Sequence, residues 1–390
     1  MNSSDLLLDQ WRKQVKEIFP SLHSYQQKTI AFVVQSIVQS GNAVMQRVAE
    51  EAKDASNSET KMASHERRLQ RFVANDHIDV DVCWKGVLQQ ILPFWENKQT
   101  TLVLDLTPYT QETTIVYVGI LVQSRILPIA WCLMPQQESW DEGLWEIVDH
   151  LFDQVAPYLH TKSCTLLADR GLSCLKLVHL CKKQKWHYVF RIKNEEWFRR
   201  TFRHFYRDWE QGKQIIKKEG DQWYGKVLLW KEHQFEVFLS VCWEPGYEEP
   251  WFLISDRPAS HKRVTDYAIR MRVESTFQDQ KSRGCMIECS RFTNRDHLHR
   301  WLFAVFLALW WTAHLGCSCI HHGHRAEVDR ADRRDKGLLR IGRLWLKAIL
   351  KKANQALFRR EPHGRIKAQL ANCLLFSHRK ERLFFSIYLQ

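Results

Sequence analysis

Two aspartates lie at similar positions in two apolar segments. Asp105 lies near the end of residues 101–106, and Asp169 ends residues 164–169. A carboxylate beside a hydrophobic core carries a desolvation cost. If the two segments are adjacent strands, both carboxylates lie at one edge of a sheet, where their oxygen atoms suit Mg²⁺ or Mn²⁺. Taken alone, each aspartate is more simply explained as the start of a turn, especially Asp169, two residues before Gly171.

A further set of polar side chains follows at helical spacing. At about 100° per residue, four of them fall within about 60° of one another on a helix: Tyr267, Arg270, Glu274 and Lys281. The guanidinium of Arg270 suits bidentate contact with phosphate, and Glu274 can supply a third carboxylate ligand to a metal ion. Tyr267 and Lys281 can hold neighbouring phosphates. The alternative is a solvated face on which Arg270 and Glu274 form an ordinary i,i+4 ion pair.

The spacing of these four residues resembles a known signature. Tyr-x2-Arg-x3-Glu-x6-Lys is characteristic of bacterial insertion-sequence transposases of the insertion-sequence-four group, and residues 267–281 match it at all four positions. A chance match is rare, on the order of one in several hundred for a chain of this size. Asp105 and Asp169, the latter in Asp-Arg-Gly, then match the first two acids of the family's Asp-Asp-Glu (DDE) triad. The resemblance covers residues 100–290 well and is weaker on either side.

The resemblance implies a fold and a chemistry. The family has a ribonuclease H-like core with a β-rich insertion, which fits the long gap between Asp169 and Glu274. The triad of Asp105, Asp169 and Glu274 would clamp two Mg²⁺ or Mn²⁺ ions, one activating water and the other stabilising the leaving 3′ oxygen. The freed 3′-OH then attacks a second phosphodiester, which transfers the strand. Relatives act as homodimers on double-stranded DNA, with terminal inverted repeats and target DNA as substrates.

The resemblance also gives Trp251 a role. Relatives form a hairpin at the transposon end, for which a base is pulled from the stack and held on an aromatic ring. A Trp at the start of the last insertion strand does this in relatives, and Trp251 occupies the like position in residues 250–255. The alternative is an aromatic residue that packs within the strand region, because Trp223, Trp230 and Trp243 lie nearby in the sequence.

The segments that must position these residues alternate between strands and helices. The sequence predicts strands at 101–106, 114–122 and 126–134, a helix at 141–158, a strand at 164–169, a helix at 173–185 and a strand at 188–193. Because the links between the first three strands are short, they predict a meander. The order βββαβαβ predicts an α/β fold with a mixed sheet and helices on its faces.

This order divides the chain into predicted domains. Residues 96–194 and 257–295 form the ribonuclease H-like catalytic core, and residues 195–256, rich in Trp, Lys and Glu, form its β-rich insertion. Residues 1–95 predict a helical DNA-binding region, and residues 296–390 a basic helical C-terminal region.

Basic residues point to a polyanionic partner. Arg67, Arg68 and Arg71 lie on a predicted N-terminal helix and are candidates for DNA contact, although a plain helical cap would carry them too. Residues 297–390 carry 18 basic and 6 acidic side chains, whereas residues 1–100 carry 12 of each. Such a surplus suits DNA, because each neutralised phosphate releases counterions. A soluble basic surface with no partner is the alternative.

The composition predicts the cellular compartment in which the protein acts. The formal net charge is +13, and the eleven cysteines form no framework spacing, which favours reduced thiols in a cytosol. The start of the chain lacks a secretory signal, and the longest apolar run, 301–311, is shorter than the roughly 20 residues that span a bilayer. We expect a cytoplasmic bacterial protein, nucleoid-associated when bound to DNA, with no membrane contact.

Two other classes of protein stay open. A ribonuclease H-like structure-specific nuclease would use the same acids, but the polar stripe and long insertion argue against it, since a simple nuclease need not hold a cleaved end. A catalytically inactive or domesticated transposase-derived DNA-binding protein would need only the basic surface. The presence of all three acids favours activity.

Overall fold

Buried strands and amphipathic helices alternate in the computed structural model of the chain. The structure describes residues 2–55, 61–95, 99–136, 142–159, 164–202, 205–206, 208–271 and 292–375. The strands are β1 Thr100–Pro108, β2 Thr113–Val122, β3 Arg125–Pro135, β4 Cys164–Ala168, β5 His187–Ile192, β6 Trp197–Phe202, β7 Phe205–Tyr206, β8 Glu210–Gln211, β9 Gln222–Leu229, β10 Phe235–Cys242 and β11 Trp251–Ser255. The helices are α1 Ser3–Ile18, α2 Ser24–Ser40, α3 Met45–Ala55, α4 Met62–Val73, α5 Val80–Ile91, α6 Glu142–Val155, α7 Leu175–Gln184, α8 His261–Ala268, α9 Arg295–His321, α10 Leu338–Phe358 and α11 His363–Ala371.

The strands that carry the acids form one end of a mixed sheet. The order from this end is β3-β2-β1-β4-β5, with β1 antiparallel to β2 and parallel to β4, and with β4 parallel to β5. Helices α6 and α7 provide the crossovers that parallel strands require. This is the order and direction of strands in a ribonuclease H-like core, so the predicted α/β fold class is confirmed.

The strands of residues 195–256 extend the same sheet. β11 pairs antiparallel with β5, and the order continues β11-β10-β9-β6-β7, with β8 against β6. β9 and β10 are in register over their whole length, from Phe235 opposite Leu229 to Cys242 opposite Gln222. The segment is therefore β-rich, as predicted, and it is joined to the core by main-chain hydrogen bonds.

Two compact units make up the described chain. One contains the sheet and comprises residues 95–121 and 128–275, while the other is helical and comprises residues 1–94, 122–127 and 276–390. In the sheet unit, α6 packs on α7, and α8 packs on β5, β10 and β11. Helix α8 ends at Ala268, and residues 269–270 form a turn, so the helix predicted to carry both Tyr267 and Arg270 is interrupted before Arg270. The packing of α8 fixes the position of this turn.

The helical unit is built around α9. This helix contacts α2, α4, α5 and α10, and it is buried along most of its length. Its Trp311 ring lies 4.6 Å from that of Trp11, and its Trp301 donates a hydrogen bond of 2.9 Å to the carbonyl of Ala43. Buried indoles with a polar partner combine a large apolar area with a satisfied N–H. The helix therefore forms the centre of this unit's core.

The same helix is much longer than the apolar run at 301–311. By length and composition alone, α9 could cross a membrane, but 83% of its most apolar stretch is buried inside the protein. That burial is typical of the core helix of a soluble protein.

Candidate active site

Strand register brings Asp105 and Asp169 side by side. β1 and β4 are parallel, with Val103 opposite Leu167. Asp105 lies two residues beyond Val103, and Asp169 lies two residues beyond Leu167 as the first residue after β4. Since side chains two residues apart in a strand lie on the same face, the register aligns the two carboxylates at one place on the sheet.

A tight turn orients the second acid. The backbone N–H of Gly171 donates a 2.9 Å hydrogen bond to Oδ1 of Asp169, and the N–H of Leu172 donates to its carbonyl at 3.2 Å. This is the Asx-turn role that the sequence offered as an alternative explanation. The turn occupies one carboxylate oxygen and leaves Oδ2 for another partner, so the two roles are compatible.

Arg270 joins the two acids. Its Nη2 atom donates to Oδ1 of Asp105 at 3.1 Å and to Oδ2 of Asp169 at 3.3 Å. The side chains of Arg270 and Asp105 are only 12% and 13% exposed, whereas Asp169 is 36% exposed. One nitrogen therefore bridges both carboxylates, one of which is buried and one open to solvent.

Burial disfavours the charges of this cluster. Desolvation raises the pKa of Asp105 to about 6; Arg270 opposes this shift, and the nearby Asp169 adds to it. Desolvation also raises the pKa of Tyr117, the residue opposite Asp105 on β2, and raises that of Tyr267 to about 12. Burial acts to lower the pKa of Arg270, but Asp105, Tyr267 and Asp169 raise it overall. The acid pair thus favours a cation beside it.

The donor set fits a hard divalent cation. Two carboxylate oxygens that contact the same nitrogen are close enough to serve a shared partner, and oxygen donors of this kind are the usual ligands of Mg²⁺ and Mn²⁺. Arg270 supplies the positive charge in this structure. Glu274 and Lys281, the other two residues of the predicted stripe, lie outside the described residues.

Trp251 lies near the cluster but is largely enclosed. It begins β11 and is 7% exposed. The rings of Tyr247 and Tyr267 meet it edge-on at 5.0 Å and 5.3 Å, and the guanidinium of Arg191 lies 5.8 Å from its ring centre. Tyr267 itself is 1% exposed, whereas Tyr247 is 42% exposed. In this structure the more open ring of the group belongs to Tyr247.

Sequence reasoning missed an ion-pair cluster next to Asp169. Arg170 Nη1 lies 2.8 Å and Arg191 Nη2 lies 2.6 Å from the same oxygen of Glu249, whose other oxygen accepts from Asn194 at 3.3 Å. Glu249 is on the loop between β10 and β11. The sequence indicated only Arg170, through the Asp-Arg-Gly motif. Glu249 could not be connected with it, because the partners of Glu249 lie more than fifty residues away along the chain.

The three arginines predicted to contact DNA lie on α4. Arg67 and Arg71 are exposed and one helical turn apart. Arg68 instead packs over the ring of Phe32 at 4.0 Å and donates to the carbonyl of Lys28, and burial followed by Arg12 lowers its pKa. Two of the three guanidinium groups are thus open to a partner.

The fold and the acid pair define a class, the ribonuclease H-like α/β proteins with paired carboxylates. Residues 123–311 match a family model described as the transposase DDE domain. The matched region contains Asp169 and Arg270 and begins after Asp105. The match covers 189 of the 390 residues and supports the DDE-type transposase class that the sequence signature predicts.

Comparison with other proteins adds little. No curated protein matches the chain. Among solved structures, the crystal structure of human ENDOV is similar at 12% sequence identity with a TM-score of 0.27, covering 62% of this chain and 99% of that one.

Proposed function

We propose that the chain is a DDE transposase that binds transposon ends and catalyses metal-dependent DNA cleavage and strand transfer. The supporting observation is the alignment of Asp105 and Asp169 on adjacent parallel strands, with Arg270 bridging both. A plain structural ion pair would not explain why a second carboxylate lies beside one whose pKa is already raised by burial. The match of residues 123–311 to the DDE domain supports the same reaction class.

The proposal assigns a role to each residue. Asp105, Asp169 and Glu274 hold two divalent ions, Mg²⁺ or Mn²⁺, which when bound supply an activated water and stabilise the leaving 3′ oxygen. Arg270 and Lys281 contact phosphates of the bound strand. Tyr267 is the remaining member of the stripe; besides the predicted phosphate contact, its packing against Trp251 gives it a positioning role.

The proposed substrate is double-stranded DNA with terminal inverted repeats, joined to a target duplex. Arg67 and Arg71 offer an exposed basic face on α4, and the surplus of basic side chains at 297–390 offers another. Simultaneous capture of two ends calls for two copies of the chain, so we propose a homodimer in the DNA complex. A protein of this kind acts in the cytoplasm, on the nucleoid.

The test is cleavage of a labelled duplex that carries the element's own end, with and without Mg²⁺. We expect the wild-type chain to cut and the Asp169→Asn and Glu274→Ala variants to lose cleavage by at least about 10³-fold while still binding the duplex. Asp208→Asn is the matched control, because Asp208 is an exposed aspartate in the insertion.

The products distinguish the competing classes. A hairpin product, followed by joining to target, supports transposition. Cleavage without joining indicates a structure-specific nuclease. Specific binding without cleavage by the wild-type chain indicates a DNA-binding protein that has lost its chemistry, and full cleavage by Asp169→Asn would overturn the assignment of the acids.

A further inference from the structure

Three metal-ligating side chains meet where β10 ends and α8 begins. Cys242 is the last residue of β10, Glu244 follows two residues later, and His261 is the first residue of α8. The Sγ atom of Cys242 lies 3.2 Å and Nε2 of His261 lies 2.8 Å from the same Oε1 atom of Glu244. The three potential ligand atoms all lie within 4.8 Å of one another. The catalytic proposal uses none of these residues.

The donor set selects for a particular ion. A thiolate, an imidazole and a carboxylate are the ligands of Zn²⁺, whereas Mg²⁺ and Ca²⁺ prefer oxygen throughout. In a tetrahedral zinc site, ligand atoms at about 2.0–2.3 Å from the ion lie about 3.3–3.8 Å from each other. The contacts to Glu244, at 3.2 Å and 2.8 Å, are within several tenths of an ångström of that spacing. Small side-chain movements would open the centre for an ion.

The burial of the three side chains suits a site that an ion can enter. Cys242 is 2% exposed, while the side chains of Glu244 and His261 are 35% and 56% exposed. The thiol of Cys242, the softest of the three ligands, is thus buried beneath the carboxylate of Glu244 and the imidazole of His261, which face solvent. Three protein ligands leave the fourth position of a tetrahedral ion to water.

We propose that Cys242, Glu244 and His261 form a Zn²⁺ site, with water as the fourth ligand. The inference does not rest on the proposed transposase function.

Binding at this site displaces the thiol proton of Cys242, which donates to Glu244 in the metal-free protein. A zinc ion binds the thiolate, and the thiol proton leaves to the buffer. The affinity for zinc therefore rises with pH, and calorimetric titration in buffers of different ionisation enthalpy measures the protons released per ion.

The location gives the ion a structural consequence. His261 begins the helix that carries Tyr267, and Glu244 is the second residue of the loop at 243–250 that carries Tyr247 and Glu249. Trp243 in this loop donates to the carbonyl of Tyr247 at 2.8 Å. An ion bound by both Glu244 and His261 would hold the N-terminal end of this loop against the first residue of α8. Zinc binding would thereby fix the position of this loop, whose Glu249 contacts Arg170 beside Asp169.

The experiment uses the full chain, freed of metal by a chelator and titrated with Co²⁺ as a spectroscopic substitute for Zn²⁺. We expect one ion per chain, with a thiolate-to-cobalt charge-transfer absorption in the near ultraviolet and visible bands of tetrahedral intensity. Zn²⁺ added afterwards displaces the cobalt and removes both. Cys242→Ser abolishes the charge-transfer band, and His261→Asn weakens zinc binding by about 100-fold.

Matched controls isolate the three ligands from the chain's other thiols and imidazoles. Cys174→Ser changes a half-buried cysteine in the sheet unit, and His233→Asn changes an exposed histidine in the turn between β9 and β10. Both should bind as the wild type does. Because Cys242 is buried, circular dichroism checks that each variant is folded, and His261→Asn, at an exposed position, tests the site independently. A spectrum without the thiolate band, or zinc binding that survives both site variants, would overturn the proposal.

Mg²⁺-dependent DNA cleavage is measured separately from metal binding at Cys242, Glu244 and His261. A result that contradicts the zinc site is therefore distinguishable from one that contradicts the catalytic acids.

Discussion

Asp105 holds a carboxylate where the fold disfavours its charge. Its side chain is 13% exposed, and burial raises its pKa from 3.8 to about 6 despite the contact with Arg270. Between about pH 3.8 and pH 6, Asp105 is therefore protonated in the native state and ionised in the unfolded chain. The free energy of unfolding includes the full contribution of the protonated carboxyl below pH 3.8, and this contribution is lost as the pH rises through about 6. A carboxylate with a raised pKa in this position is consistent with the catalytic role that we propose for Asp105.

Replacing Asp105 with Asn should therefore stabilise the metal-free protein. A shift of about two pKa units corresponds to about 3 kcal/mol of unfolding free energy at about pH 8. The difference between variant and wild type should narrow as the pH falls through the window from about 6 to 3.8 and vanish below it. Urea unfolding in the presence of a chelator measures both free energies. A variant that is less stable than wild type at about pH 8 would contradict the assigned environment.

Single residues differ in how far the sequence could predict them. Asp105 and Asp169 could be found because an acid at the end of an apolar strand is conspicuous. Tyr267 lies on α8, but this helix ends at Ala268 and Arg270 lies in the turn after it, so helical spacing does not explain how Arg270 reaches the acids. Glu249 could not be found in this way, since its partners Arg170 and Arg191 are distant in sequence and meet it only through loop placement. The low exposure of Trp251 likewise depends on rings supplied by other elements.

At the scale of elements, the loop between β10 and β11 sets the charge beside the acids. Glu249 pairs with both Arg170 and Arg191, two guanidinium groups that would suit a phosphate, and offsets one of their two positive charges. On the proposed function, DNA must compete with this carboxylate. We expect Glu249→Gln to increase DNA affinity by about three- to tenfold and to steepen its dependence on salt by roughly one unit.

Fluorescence anisotropy across a series of salt concentrations measures both quantities. Glu248→Gln is the control, because it removes the same charge from the neighbouring exposed position of the same loop. Equal gains in the two variants would show a general charge effect and no competition by Glu249.

The crossing of α9 and α10 depends on two glycines. A Cβ at Gly342 would lie 2.0 Å from the carbonyl oxygen of Thr312 and 2.8 Å from the backbone nitrogen of Gly316, and a Cβ at Gly316 would lie 2.4 Å from the carbonyl oxygen of Leu338. Backbone atoms cannot move aside as a side chain does. We expect Gly342→Ala to lower the unfolding free energy of the helical unit by about 3 kcal/mol.

Thermal unfolding measures this change against a matched glycine. Gly364 lies in α11 with nothing within 4 Å of an added Cβ, so Gly364→Ala should be neutral or should stabilise by up to about 1 kcal/mol through helix propensity. Similar losses at both positions would mean that close packing is not the reason for Gly342.

The elements themselves were largely predictable, but their pairing was not. Apolar runs predicted the strands β1 to β5 and the helices between them, because periodicity is a local property. The pairing of β11 with β5, and of β9 with β6, joins residues far apart in the chain. Such pairing is decided by register and burial over the whole sheet, which a single pass along the sequence does not contain.

At the scale of the whole molecule, net charge overstates the cations available to a partner. Arg325 and Lys336 both pair with Asp329, whose side chain is 0% exposed, and Lys352 pairs with Glu327 at 2.6 Å. These contacts use part of the basic surplus of residues 297–390 to hold the C-terminal helices. Exposed residues at the end of α10, such as Lys351, Arg359 and Arg360, are better placed to meet phosphate.

The division into two units predicts that the molecule unfolds in two steps. Each unit has its own core, centred on α9 in one and on the sheet in the other. Mn²⁺ at about 100 times its dissociation constant should stabilise only the unit that contains Asp105 and Asp169, by about 2.7 kcal/mol, while Gly342→Ala should lower only the other transition. Scanning calorimetry of the wild type and the variant, with and without Mn²⁺, resolves the two effects. If a single transition shifted with both changes, the units would share one cooperative core, because a ligand stabilises only the cooperative unit to which it binds.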